Sequence, residues 1–178
     1  MPNLNLNEYI ELYNPANNTY FPVRVVKQIN QGFNVFSILN SKYIDIYNYQ
    51  IEKFGYQKTW ISKNLLEEIG FTKEGYLYSF ENIVVYECLT GELKERDFPS
   101  KGYNFYSKHY GYAILNKNQY EEFIIDFREI EFNSSNSKIA EKYFLTCDIN
   151  DVFETLLKLK NTQFSYEQFD NIILKHKK

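Results

Sequence analysis

The chain has 178 residues, with 23 acidic and 20 basic side chains and a formal net charge of −3. That length supports one ordinary domain, which buries roughly 70% of its unfolded surface and folds without a disulfide or metal. The slight acidic excess, mixed along the chain, excludes the basic stripe of a dedicated nucleic-acid binder, and no apolar run approaches the ~18 residues of a membrane span.

Residues before Asn7 read as a lead-in, and they carry neither the basic region nor the apolar core of a signal peptide. Tyr9 to Tyr13 is a strand, closed by the turn Asn14-Pro15-Ala16-Asn17-Asn18. Tyr20 to Ile29, Phe33 to Leu39 and Tyr43 to Tyr49 follow as strands joined by short polar turns, which predicts an antiparallel meander or small curled barrel. Pro22 sets the first of these at an edge or bulge. In the third, alternation places Ile44 and Ile46 on a buried face and Tyr43, Asp45 and Tyr47 on a wet one.

Ile61 to Phe71 is the best-bounded element. Ser62 caps a helix over 62–69, Gly70 closes it in the left-handed region, and Ile61 with Leu66 has the spacing of a hydrophobic staple. Strands at Tyr76 to Phe80 and Ile83 to Cys88 come next, then an irregular stretch over 92–109, and a strand at Tyr110 to Leu115. Tyr120 to Phe132 fits two patterns. Tyr120, Phe123, Ile124, Phe127 and Ile130 make a helical stripe, while Phe123, Ile125 and Phe127 alternate as in a strand. The turn-like Asn133-Ser134-Ser135-Asn136-Ser137 before Tyr143 to Cys147 favours a hairpin. Asp148 then caps a helix bearing Val152, Phe153, Leu156, Leu157 and Leu159. Ser165 with Gln168 forms the capping box of a last helix, with Phe164 and Phe169 as its staple.

The expected architecture is α+β: an antiparallel β-meander or curled sheet with a short central helix and two C-terminal helices. It is read as a single domain over 1–178, β-rich over 8–147 and helical over 148–178.

The chemistry-bearing residues are sparse. His109 and His176 are the two histidines, and Cys88 and Cys147 lie far apart, so neither a metal ligand set nor a local nucleophile–base pair is written in the spacing. Two such thiols fit a reducing cytosol. The glycines occupy turns and caps, and no phosphate-cradling or dinucleotide pattern occurs. The reading is therefore of a soluble, cytoplasmic protein that is not an enzyme and takes no cofactor. Two stretches carry candidate interaction residues. Lys101, Tyr103, Phe105, Tyr106, Lys108 and Tyr110 interleave bases with aromatic rings, as a stacking platform for single-stranded nucleic acid does. Glu121, Glu122, Asp126 and Glu129, with Glu131 beside Arg128, form an acidic run that could compete for a basic surface on another protein. Part of the aromatic content (17 Tyr, 15 Phe) reflects AT-rich codons rather than function.

Ile61-Ser62-Lys63-Asn64-Leu65-Leu66-Glu67-Glu68-Ile69-Gly70-Phe71 resembles an I-x-[ST]-x-x-x-L-x-x-x-G-F element of small phage and prophage accessory proteins from AT-rich bacteria. The order of elements is similar over about two-thirds of the chain. Ile149 to Leu157 departs from the Val-His-x-Leu-Gln helix start of those proteins, lacking both His and Gln. The resemblance implies an accessory protein, cytoplasmic in a bacterial host, that binds a host protein or nucleoprotein effector. Inhibitors of bacterial immunity, anti-CRISPR proteins acting on RNA-guided nucleases among them, are the best-known group of that kind. The alternatives are a single-stranded RNA- or DNA-binding module and a virion or self-assembling structural protein.

Overall fold

A computed structural model describes residues 4–89, 110–133, 143, 145–159 and 164–177. In chain order its elements are β1 (Tyr9–Asn14), β2 (Thr19–Ile29), β3 (Gly32–Ser37), β4 (Lys42–Tyr47), α1 (Asn48–Phe54), β5 (Tyr56–Lys58), α2 (Lys63–Ile69), β6 (Thr72–Glu74), β7 (Leu77–Phe80), β8 (Ile83–Leu89), β9 (Tyr110–Asn116), α3 (Tyr120–Asn133), β10 (Leu145–Thr146), α4 (Ile149–Leu157) and α5 (Tyr166–His176). A short 3-10 turn, Lys117–Gln119, leads into α3. The fold is α+β, with two antiparallel sheets and five helices among the described residues. Contacts divide it into two compact units, residues 1–69 with 148–178 and residues 70–147.

In the first unit the sheet order is β4-β3-β2-β1-β5. Hairpin turns at Asn18, Gln31 and Ser41, each at positive φ, carry the chain from strand to strand. These are the polar, turn-forming positions that tolerate the left-handed region best. A register shift between Val25 and Lys27 bulges β2 against β3 and bends the sheet. One sheet face gathers Ile10, Leu12, Val23, Val25, Phe33 and Val35 with Ile51 of α1 into an apolar core. Gly32 in β3 is obligatory there, since a Cβ would sit 2.1 Å from the carbonyl oxygen of Ile46.

The other face carries a cross-strand row, Tyr9–Arg24–Phe36–Tyr43, one residue from each of β1 to β4. Helices α4 and α5 close over its inner end, where Tyr9 meets Phe153 edge-on and Phe153 stacks on Phe169. Helix α2 is tied to α5 by Glu68–Lys175 at 2.9 Å and by Ser62 Oγ with His176 Nε2 at 3.3 Å. The basic end of the chain thus serves packing: Lys177 also pairs with Glu11 of β1.

In the second unit the order is β10-β9-β8-β7-β6, all antiparallel. Val84, Cys88, Ala113, Leu115 and Phe123 form its core, edged by Tyr86, Tyr120 and Tyr143. Ring contacts converge on Phe123, with Tyr143 at 4.9 Å and Tyr86 at 5.5 Å, both edge-on.

Three expectations from sequence change. Residues 120–133 are a helix, not the arm of a hairpin. Asn116 donates its main-chain N–H to Gln119 at the preceding turn, and Phe123 is fully buried, so the 3.6-residue stripe prevails over the strand alternation. The strand expected to reach Tyr49 ends at Tyr47, because Gln50 takes the Tyr47 amide and Ile51 sinks into the core, starting α1. Ile44, expected to be buried, is exposed, since β4 is a sheet edge. The caps of the remaining helices are as expected. Ser62 Oγ accepts from Leu65, Asp148 accepts from Asn150, and Ser165 and Gln168 exchange hydrogen bonds.

Candidate functional site

The helical conformation of α3 puts Glu121 and Glu122 on one turn, where alternation would have set them on opposite faces. Glu121 and Glu122 occupy its first turn, and both are exposed. Carboxylates there face the positive end of the helix dipole, which stabilises the helix start. Ile125, one turn beyond Glu121, is 59% exposed, while Phe123 points into the core. The Glu129 side chain lies outside the described ones. Asp126 separates from the group, because it is half-buried and accepts a hydrogen bond from the Tyr143 hydroxyl. The outward surface is therefore Glu121, Glu122 and Ile125: two carboxylates around an exposed aliphatic side chain.

Lys101, Tyr103, Phe105, Tyr106 and Lys108 lie outside the described residues. Tyr110 opens β9, next to Leu89 of β8, and its side chain lies outside the described ones.

Two polar clusters in the first unit were not anticipated from sequence. In one, Arg24 holds Asp170 through two hydrogen bonds, Nε to Oδ1 at 2.9 Å and Nη2 to Oδ2 at 2.8 Å. The Tyr9 hydroxyl donates to the same carboxylate at 2.8 Å. The guanidinium lies over the rings of Phe36 and Tyr166, at 5.6 and 5.4 Å. Its hydrogen bonds to Asp170 hold the Arg24 pKa above the ordinary value. Burial, followed by the Asp170 charge, raises that of the Tyr9 hydroxyl. Asn150 completes the cluster from α4, accepting from the Tyr9 amide at 2.6 Å and donating to the Tyr9 carbonyl at 2.9 Å. Its amide thereby continues the ladder beside β1 where β5 has ended. In the other cluster, Lys58 of β5 bridges Glu8 and Asp148. Burial works against the Lys58 charge, but the hydrogen bonds that Lys58 donates to both carboxylates outweigh it and raise its pKa.

These clusters satisfy their own donors and acceptors, and Arg24 and Asp170 are nearly closed to solvent. What they do chemically is fasten the chain's end to its beginning. Residue identity gave little signal for them, because partners are separated by up to 161 positions.

A third feature is open to solvent. Along β4 and into α1, Tyr43 and Tyr49 are each 65% exposed and Tyr47 is 41% exposed, with Tyr47 and Tyr49 stacked. The alternation of β4 was the sequence signal for it.

Among the described residues, no group of three or more His, Cys, Asp or Glu side chains could hold a metal ion, and no helix is long and apolar enough to cross a membrane. Compared with known proteins, the chain matches no family model, no curated protein and no solved structure.

Proposed function

We propose that this chain is a non-enzymatic, phage-type accessory protein that binds a host immune effector and inhibits it, and that its contact surface is the outward face of α3. The observation that carries this reading is the exposed stripe of Glu121 and Glu122 around Ile125 on one helix. A short array of carboxylates on a rigid element offers a basic, nucleic-acid-binding groove the charge pattern of a phosphate backbone, and an aliphatic residue at its centre adds apolar contact area. The net charge of −3 favours the same class of partner. The resemblance of Ile61 to Phe71 to phage accessory proteins supports an RNA-guided nuclease as the first target to test, in an anti-CRISPR role.

The test is affinity purification from a defence-competent bacterial lysate, with and without nuclease treatment. A stoichiometric effector protein that survives the treatment, whose binding weakens with salt and is lost in Glu121→Lys/Glu122→Lys, is the expected result. Partners that disappear with the nucleic acid would instead favour the single-stranded RNA or DNA module. An effector that binds the double variant as tightly as the parent would remove α3 from the interface.

A further inference from the structure

We propose that the free edge of β4 pairs with the β4 edge of a second copy of this chain, antiparallel and centred on Ile44. The sheet edges differ in how they are protected. In the second unit, β6 is three residues long and reads Thr-Lys-Glu, the short, charged form that discourages edge pairing. In the first unit, β5 is also three residues long, and the chain beyond it is occupied by a bridge from Trp60 to Asp148. The β4 strand has six residues, Lys-Tyr-Ile-Asp-Ile-Tyr, with neither proline nor bulge in its register to β3. It is exposed along almost its whole length.

The main chain of β4 selects the register. The Asn48 amide bonds the Gln31 carbonyl, so the even-numbered residues of β4 bond inward to β3. Tyr43, Asp45 and Tyr47 therefore turn their N–H and C=O groups outward. Tyr47 has its N–H taken by Gln50 Oε1 at 2.9 Å, which leaves Tyr43 and Asp45 as the open amides. An antiparallel copy centred on Ile44 sets Tyr43 of each chain opposite Asp45 of the other, and both open amides of each chain find a carbonyl. Centring on Asp45 instead would oppose two carboxylates directly, which destabilises a pair, and would compete with Gln50 for Tyr47. Asp45 is a weak guard against this pairing, since its carboxylate is drawn back over the sheet by Asn34 Nδ2 at 2.6 Å. The occupant is a second copy because this edge is its own complement in that one register.

Sedimentation equilibrium of the full chain tests the proposal. A concentration-dependent dimer is expected, and Asp45→Pro should abolish it by removing an outward N–H that the chain's own sheet does not use. Circular dichroism of that variant should match the parent. In a Cys147→Ser background, Ile44→Cys should form an intermolecular disulfide under mild oxidation at least tenfold faster than Asp45→Cys. A parent chain that stays monomeric overturns the proposal, and binding of a foreign extended peptide at this edge would then name the other occupant. A dimer indifferent to Asp45→Pro, or faster cross-linking through position 45, also overturns it. None of these readouts involves α3, so their failure leaves the reading of that helix untouched.

Discussion

The two units are held together in different ways. In the first, segments from opposite ends of the chain meet, and directional polar contacts mark where they do so. Tyr9 and Arg24 grip Asp170, Asn150 completes the ladder beside β1, and His176 reaches Ser62. In the second, the described elements come from one continuous stretch, and rings packing around Phe123 dominate its core. Apolar contact is non-directional, which suffices where consecutive hairpins already limit the choices. Joining distant segments costs more loop-closure entropy and leaves more wrong ways to pack. Buried hydrogen bonds with fixed geometry penalise those alternatives, because each wrong docking strands a polar group.

The largest expected effects come from removing the centre of each unit. Asp170→Ala leaves the buried Arg24 guanidinium without its paired acceptor, while the Tyr9 hydroxyl keeps the Tyr166 carbonyl at 3.0 Å, and should cost about 3–5 kcal/mol. Phe123→Ala should cost a similar amount, about 3–5 kcal/mol, through its cavity. The conservative variants separate the two mechanisms. Phe123→Leu should recover most of the loss, because packing asks mainly for volume. Asp170→Asn should recover little, because it lacks the charge and the paired oxygens that Arg24 requires. Urea unfolding followed by circular dichroism measures all four. An Asp170→Asn protein as stable as the parent would break the contrast.

A smaller effect lies in alkaline solution. The Tyr9 hydroxyl keeps its proton in the folded chain well above the ordinary value of 10.0, through burial first and then the Asp170 charge. Lys58 likewise holds its proton above its ordinary value of 10.5, because hydrogen bonds to Glu8 and Asp148 outweigh burial. In both cases the unfolded chain releases the proton first. The linked stability is therefore present below about pH 10 and is lost as pH rises beyond it. Tyr9→Phe should lower stability by about 1 kcal/mol at neutral pH and flatten the alkaline fall. Midpoints of urea unfolding from about pH 8 to 11 give the slope. A slope unchanged in Tyr9→Phe would show that the Tyr9 hydroxyl contributes nothing to it.

The smallest effect concerns reactivity without stability. Burial pushes the Cys88 thiol up to about 12, whereas Cys147 is partly exposed. Since the thiolate is the nucleophile, iodoacetamide should label Cys147 in the folded protein and Cys88 after unfolding. Peptide mass mapping distinguishes the sites, and equal labelling in the folded state would mean that the core around Cys88 opens readily.

Local signals were readable in the chain and long-range ones were not. Ser62, Asp148, Ser165 and Gly70 mark helix ends through the chemistry of a few adjacent residues, and the structure has helix ends at each. The turns at 14–18 and 30–32 and the strands around them follow from composition and alternation in the same way. Tyr120 to Phe132 satisfied two periods at once, and the burial of Phe123 among Tyr86, Tyr120 and Tyr143 decided between them. That decision also changed the candidate surface, placing Glu121, Glu122 and Ile125 together and drawing Asp126 away toward Tyr143.

Sequence by itself determined the α+β class, most element boundaries and the acidic run from Glu121 to Glu131, because these depend on residues within a turn or two of one another. Tertiary structure decided which strands became edges, that Ile44 stayed exposed on one of them, and that Arg24 would spend its charge on Asp170. Those outcomes depend on which distant segments share a sheet or a core, and side-chain periodicity carries no information about partners 146 residues away.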